Sequence, residues 1–393
     1  MIVIYPAKLK IEGDSAIISA EFESQGRTKE LWYKVPAEYE NYLVTERLDA
    51  FLVGLLFLGL KTGQDMVIKG MLSSQLNYTI NEYLIPVLCL GNPDFKKINI
   101  TSEKIDDRNL NIKKFAATGA SCGIDFFATY YAHNKRKDNF KIKFLTYLNA
   151  GSHGDYGGEN SRLVFQKRLS KIRQFAKDED LEVISIDTNL SEILKMNFQK
   201  THTLRNLSCI LILQKLIHVY YYASSMRFDE FKISSRATAD YDILNMAFLS
   251  TESTSLYSSA ANLTRVERTA FITSFAQTHK YLDVCTNLNI SEIGANCSYC
   301  DKCLRTALTL ELINKLHLFK NVFHLDIYKK NRDGFIAKII ATKEEDIFNN
   351  EVFTLLKIKS QIKFKHYLLS YNFKAYRKKN NLKKIIKKKL NRK

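Results

Sequence analysis

Phe115-Ala116-Ala117-Thr118-Gly119-Ala120-Ser121-Cys122-Gly123-Ile124-Asp125-Phe126 passes from a short apolar stretch, through a run of small residues, into a second apolar stretch that continues to His133. The pattern predicts a strand over Phe115–Thr118, a helix from Ile124 onward and a tight turn between them. Small side chains let backbone N–H groups come close to a ligand, and the helix N-terminus behind them carries partial positive charge. Together these features make a phosphate cradle. The same residues also read as a plain strand-to-helix turn that needs glycine only for its φ angles. Both readings stand at this point.

Downstream the alternation continues. Ile142–Leu148 reads as a strand ending in a glycine-rich loop, followed by a helix over residues 160–176 and a strand at Leu181–Ile186. A long helix is predicted over Thr203–Ala223, then short strands at Phe231–Ser234 and Thr254–Tyr257. Strands alternating with helices imply an α/β fold with a mostly parallel, doubly wound sheet, whose ligands bind outside the carboxyl ends of the strands. Upstream, residues 1–110 read as a separate α+β domain. It has a hairpin (Ala16–Phe22, Glu30–Val35, turn at Gln25-Gly26) and a buried helix over Glu46–Leu60, then a strand at Met66–Lys69. A helix over Asn77–Leu90 is broken by Gly91-Asn92-Pro93, Lys97–Thr101 forms a strand and Ser102–Asn109 a linker. The organisation expected is therefore 1–110, 111–310 and a helical region over 311–393.

Of 393 residues, 59 are Lys or Arg and 41 Asp or Glu, giving a net charge of +18. The excess is local. Residues 352–393 hold 15 Lys/Arg and no acid, leaving 44 against 41 in the rest. A near-neutral body gives no electrostatic sign of nucleic-acid binding. Leu382, Ile385, Ile386 and Leu390 share one helical face within the lysine-rich end. That face suits an anionic membrane surface, an arm on nucleic-acid phosphates, or a merely solvated tail. The N-terminus lacks a signal-peptide layout, and the longest apolar run, Phe51–Leu60, is too short to span a bilayer. The expectation is a cytoplasmic protein, peripheral at the inner membrane face if the tail binds lipid.

Cys285, Cys297, Cys300 and Cys303 form C-x11-C-x2-C-x2-C. Thiolates two residues apart can bite one ion, and four complete a tetrahedral structural zinc site with no position left for an activated water. The alternatives are a redox dithiol and chance clustering.

Ser121-Cys122-Gly123-Ile124-Asp125-Phe126 resembles the PP-loop, S-G-G-x-D-S, of the ATP pyrophosphatases, which are Rossmann-like enzymes that cleave ATP to AMP and pyrophosphate. Cys122 stands where the family has its first glycine, and Phe126 replaces the final serine. The order of motifs resembles the 7-cyano-7-deazaguanine synthase family, with Cys297 to Arg305 matching its zinc knot and Leu263-Thr264-Arg265-Val266-Glu267 its L-T-K-A-E segment. The likeness spans residues 112–310 and leaves out 1–110 and the basic tail. It implies ATP, Mg2+ and Zn2+ as cofactors and a small-molecule carboxylate or amide as the substrate activated for ammonia or another nucleophile. It gives Ser121, Gly123 and the backbone amides of Thr118, Gly119 and Cys122 the pyrophosphate, and Asp125 the magnesium. Arg265, with Lys113 or Lys114, becomes a pyrophosphate partner. The resemblance leaves three roles open: the enzyme, a catalytically silent nucleotide-binding protein, and a nucleic-acid base modifier.

Further residues sit at expected carboxyl edges. His153, in Asn149–Asp155, reads as a nucleotide or proton-transfer group or as a turn residue. Asp187 reads as a substrate contact or a helix cap. Arg205, in the first turn of its helix, reads as facing an anionic ligand or a surface acid. Ser250-Thr251-Glu252 reads as pocket lining. Cys122 reads as loop filler or nucleophile, and Cys89 and Cys209 as core. Residues 1–110 are open to shaping the substrate pocket, binding a partner, or pairing subunits as a homodimer.

Overall fold

The computed structural model describes residues 1–286 and 296–390, with side chains through Ala375 and those of Arg377 and Lys378. The side chains of Leu382, Ile385, Ile386 and Leu390 lie outside the described residues. The chain divides into two compact units. The first is 1–121 with 125–262, and the second is 122–124 with 263–393.

The first unit is built on one sheet of eleven strands. These are β1 (Ile2–Ile4), β2 (Lys8–Glu12), β3 (Ser15–Ser24), β4 (Arg27–Pro36), β5 (Met66–Ser73), β6 (Ile100–Asp106), β7 (Phe115–Gly119), β8 (Ile142–Asn149), β9 (Glu182–Thr188), β10 (Ile217–Ala223) and β11 (Ser255–Ser259). Their order is β11-β10-β7-β8-β9-β4-β3-β1-β5-β6, with β2 added on β3. The five strands β7 to β11 are mutually parallel. The hairpin of β3 and β4 turns at Gln25-Gly26, both at positive φ (54° and 70°), and β4 joins β9 antiparallel through Tyr33 opposite Thr188 and Lys34 opposite Asp187. The boundary expected at residue 110 thus falls inside a continuous sheet, because β4 hydrogen-bonds to a strand 150 residues away.

Three further expectations are corrected, one being the linker over Ser102–Asn109, whose residues as far as Asp106 belong to β6. The helix predicted over Thr203–Ala223 ends at Leu211, and Ile217–Ala223 is instead β10. Phe231–Ser234 forms no strand. The correction at Ile217–Ala223 matters, because with β10 in place β7 stands between β8 and β10. Chain order reverses there: β8 and β9 lie to one side and β10 and β11 to the other. In parallel sheets this reversal opens a crevice at the carboxyl ends, where ligands bind.

The helices that position the site in this unit are α1 (Asp49–Thr62), α2 (Ile124–His133), α3 (Glu159–Asp178) and α4 (His202–Leu211). α1 is apolar on nearly every side and is buried accordingly; it ends at Gly63, whose left-handed φ of 68° favours glycine. The second unit is helical: α5 (Arg265–Ile272), α6 (Asp301–Leu312), α7 (Leu325–Thr342), α8 (Ile347–Ile358) and α9 (Phe364–Leu390). Among the described residues no helix is long and apolar enough to cross a membrane.

Candidate functional site

The turn between β7 and α2 lies at the point where strand order reverses. Its root is fixed by hydrogen bonds. Thr118 Oγ1 donates to the Tyr221 carbonyl (2.8 Å), and the Ala120 N–H donates to the Thr146 carbonyl (2.8 Å). Gly119 faces Tyr220 so closely that a Cβ would sit 3.0 Å from its hydroxyl. Beyond this root the residues sort by exposure. Ser121 is exposed, Gly123 and Asp125 are half-exposed, and Cys122 and Phe126 are buried. The positions that match the PP-loop pattern are therefore the accessible ones, and the two departures point inward. Cys122 has φ +54°, the left-handed conformation that glycine adopts at no cost and other residues enter at about 1 kcal/mol. The backbone keeps a glycine's shape although the side chain does not. The Phe126 ring packs against Phe127 (5.0 Å), Tyr130 (6.1 Å) and Phe175 of α3 (5.6 Å). It belongs to that aromatic cluster, so it does not fill the turn.

Other predicted residues fall into place less favourably. Lys113 and Lys114 precede β7 and so stand at its amino end, a strand's length of roughly 16 Å from the turn. Ser250-Thr251-Glu252 likewise precede β11 at its amino end rather than lining a carboxyl-edge pocket. His153 is buried, with Nε2 2.8 Å from the Tyr147 hydroxyl and Nδ1 3.1 Å from Ser152 Oγ. Burial pushes its pKa down to about 3, so it is a neutral core imidazole. Asp187 does reach the carboxyl edge, where it accepts from Asn149 (2.7 Å) and Arg162 (3.1 Å). Arg205 is fully buried and holds the loop after β8 by its backbone: it donates to the carbonyls of Asp155 (3.1 Å) and Met196 (2.7 Å) and to Ser191 Oγ (3.2 Å). Burial lowers its pKa to about 10, opposed in part by the Asp155 charge. Arg265 begins α5, whose cap is the reciprocal Thr264–Glu267 box, and its guanidinium lies 4.7 Å over the Phe348 ring.

A group that the sequence did not disclose sits beside the end of β10. Asp242 Oδ1 accepts from Thr203 Oγ1 at 2.7 Å, and Oδ2 meets no hydrogen-bond partner among the described residues. Burial, reinforced by the neighbouring Asp240 charge, raises its pKa to about 7. Unfolded aspartate titrates near about 3.9, so between that value and 7 the folded chain binds a proton the unfolded chain lacks. Stability therefore falls as pH rises through this window. Asp242→Asn should flatten the dependence and raise stability at pH 8 by about 2–4 kcal/mol. Urea unfolding of both proteins at pH 5 and pH 8 checks this, and parallel shifts in the two would refute it.

In the second unit the four cysteines converge. The Sγ atoms of Cys285, Cys297, Cys300 and Cys303 all lie within 4.8 Å of one another, and three of the residues are buried. Cys297 is followed by Ser298 at φ +60°, which folds the chain back so that the Cys300 N–H points at Cys297 Sγ (3.3 Å). Cys300 then caps α6 and Cys303 lies in its first turn. Hydrogen bonding with Cys303 draws the Cys300 thiol down to about 4 and pushes the Cys303 thiol up, so one of the pair is readily held as thiolate, the form that ligates metal. Asn296 ties the knot to its surroundings: its Nδ2 donates to the carbonyls of Leu282 (3.0 Å) and Val322 (2.9 Å), and its Oδ1 accepts from the Val284 N–H (2.8 Å). The four thiols can hold a metal such as zinc. Two residues before Cys285, the Asp283 N–H donates to the Cys122 carbonyl at 2.8 Å, which links the knot to residue 122 of the turn.

Comparison of the chain with protein-family models, with curated proteins and with solved structures returns no match. The class defined by fold and site is an α/β protein with a mostly parallel sheet and a four-cysteine metal-binding cluster.

Proposed function

We propose that the protein is an ATP-dependent adenylating enzyme. The observation that carries this reading is the place of the Ser121–Asp125 turn: it follows the strand at which sheet order reverses, and Ser121, Gly123 and Asp125 keep solvent access. The Ser121 hydroxyl and the amides at the start of α2 would take the pyrophosphate, favoured by the helix's positive end. Asp125 would offer carboxylate oxygen to magnesium, which supplies charge neutralisation on the phosphates. A carboxylate or amide oxygen of a small substrate attacks the α-phosphorus, the bond to the bridging oxygen breaks, and pyrophosphate leaves. Ammonia or another nucleophile then displaces AMP. The chain's work in this chemistry is positioning and electrostatics, with no covalent step of its own. The serine hydroxyl lost at Phe126 removes one phosphate contact, and the left-handed backbone at Cys122 preserves the shape of the turn. The four cysteines hold zinc, whose role is structural.

The two departures from the pattern, Cys122 and Phe126, also support a second reading, a nucleotide-binding protein without turnover. One assay separates the two. With ATP, magnesium and a panel of carboxylic acids, the enzyme releases pyrophosphate, and Asp125→Asn lowers the rate by about 100-fold or more. Thermal protection by ATP without pyrophosphate release selects the silent binder. Absence of both release and protection overturns both readings.

A further inference from the structure

α9 has two unlike faces. Toward α7 it presents buried His366 and Ser370 and half-buried Phe373 and Arg377, spaced by four, three and four residues. His366 Nε2 lies 3.1 Å from Asp333 Oδ1, Lys365 pairs with the same carboxylate, and Arg377 binds Glu345 at 2.9 Å. These contacts fix the rotation of the helix. On the opposite side Phe364, Tyr367, Leu368 and Tyr371 are 78, 51, 55 and 74% exposed. They stand at i, i+3, i+4 and i+7, a continuous apolar stripe that is open to solvent among the described residues. Helical register carries the same line through positions 375, 378, 382, 385, 386 and 389, which the sequence fills with Ala, Lys, Leu, Ile, Ile and Lys, so the line stays mostly apolar. Off that line the sequence supplies lysine at 374, 379, 383, 384, 387 and 388, and residues 352–393 contain no acid.

We infer that α9 lies on an anionic lipid surface, with the stripe of Phe364, Tyr367, Leu368 and Tyr371 sunk among the acyl chains and the lysines on the headgroups. A helix anchored along one face, apolar along the other and rimmed by cations matches the chemistry of an interfacial helix, and tyrosine suits the headgroup level. A second copy of the chain fits worse, because pairing the stripes would bring two acid-free, lysine-rich segments together. Nucleic acid also fits worse: phosphates would engage the lysines but leave the aliphatic side chains in water. The inference does not depend on the nucleotide reading.

The test uses the full chain in vesicle co-sedimentation. One set of vesicles is pure phosphatidylcholine, and the other carries about one quarter phosphatidylglycerol. The chain should bind the anionic vesicles at least about tenfold more tightly than the neutral ones, and less tightly as salt rises. Leu368→Asp with Tyr371→Asp should weaken that binding by about tenfold or more. Both side chains are exposed, so the double variant keeps its unfolding temperature, which is measured alongside. Three results overturn the inference: no binding to either vesicle, equal binding by the variant (lysines alone acting), and self-association or RNA binding that the double substitution abolishes while lipid binding is unaffected.

Discussion

Replacing Arg47 by alanine is expected to lower the unfolding free energy by about 3–5 kcal/mol at pH 7, a large part of the roughly 5–15 kcal/mol that holds a domain folded. Arg47 is fully buried. Its Nε donates to Asp106 Oδ2 (2.9 Å), its Nη1 to Glu252 Oε2 (3.2 Å) and its Nη2 to the Arg108 carbonyl. Glu252 in turn accepts from Ser73 Oγ (2.6 Å) and the Gln75 N–H (2.8 Å). Asp49 accepts from the Ser73 N–H and from Gln214 Nε2, both at 2.9 Å. This network joins the carboxyl ends of β5 and β6 to the start of α1 and to the loop before β11. Hydrogen bonds from Arg108 and Arg47 hold the Asp106 carboxyl well below the usual carboxylate range. Without the guanidinium, Asp106 keeps Arg108, but the half-buried Glu252 charge is left to Ser73 and Gln75 and Asp106 loses its buried partner, a costlier state than a surface pair lost. Two controls fix the cause. Arg47→Lys should lie between the wild type and Arg47→Ala, since an ammonium cannot reproduce the three-way fork. The gap between Arg47→Ala and the wild type should narrow toward pH 4, because the acids left by the guanidinium can then take up protons in the folded variant, whereas Asp106 of the folded wild type stays ionised while its unfolded chain begins to bind them. Urea melts at pH 7 and pH 4.5 measure both. A loss below about 1 kcal/mol at pH 7 would show that the network is dispensable.

Nothing in the sequence announced this network, because its members come from five separate stretches and each reads locally as an ordinary polar residue. The same reason hid the pairing of β4 with β9: two hydrogen-bonded positions unite residues 1–110 with the parallel strands, and no local pattern encodes a partner 150 residues away. β10 was missed for a different cause. From Leu207 to Ala223 the chain is mostly apolar, broken at Ser208, Gln214-Lys215 and His218, so a buried helix and a buried strand blur into one run. The distinguishing signal was composition, since Ile217-His218-Val219-Tyr220-Tyr221-Tyr222 is the aromatic, β-branched mixture that strands favour. By contrast β7, β8, β9 and β11 were legible, each short, apolar and bounded by breakers.

At the site, legibility followed range. The four cysteines stood out because three of the ligands lie within seven residues and their spacing is itself the geometry. The Ser121–Asp125 turn was legible for the same local reason. Arg205 was noticed as misplaced in a first helical turn, but its role was not. Its partners are mostly backbone carbonyls, and carbonyls carry no sequence signature.

Stripping the metal should be the more damaging test of the second unit. The four thiols are held within 4.8 Å of one another. In water such a cluster must either protonate or repel itself, whereas a tetrahedral ion turns the same closeness into binding energy, and for structural zinc that energy is folding energy. The ion would join Cys285, which follows Asp283, to the start of α6, so its loss should also release the Asp283 contact with the Cys122 carbonyl. Chain purified under reducing conditions should carry one metal ion per molecule. A strong chelator, or Cys303→Ser, should lower the unfolding temperature by about 10 °C or more, the equivalent of several kcal/mol in a unit of this size. Cys89→Ser, outside the cluster, should not. If the turn binds nucleotide, the metal-free chain should also lose part of the thermal shift that ATP confers. That second loss tests the nucleotide reading, and the drop measured without ATP tests the metal alone. An unchanged melting temperature after chelation, in a chain shown to have held an ion, would mean that the thiols bind metal without bracing the fold.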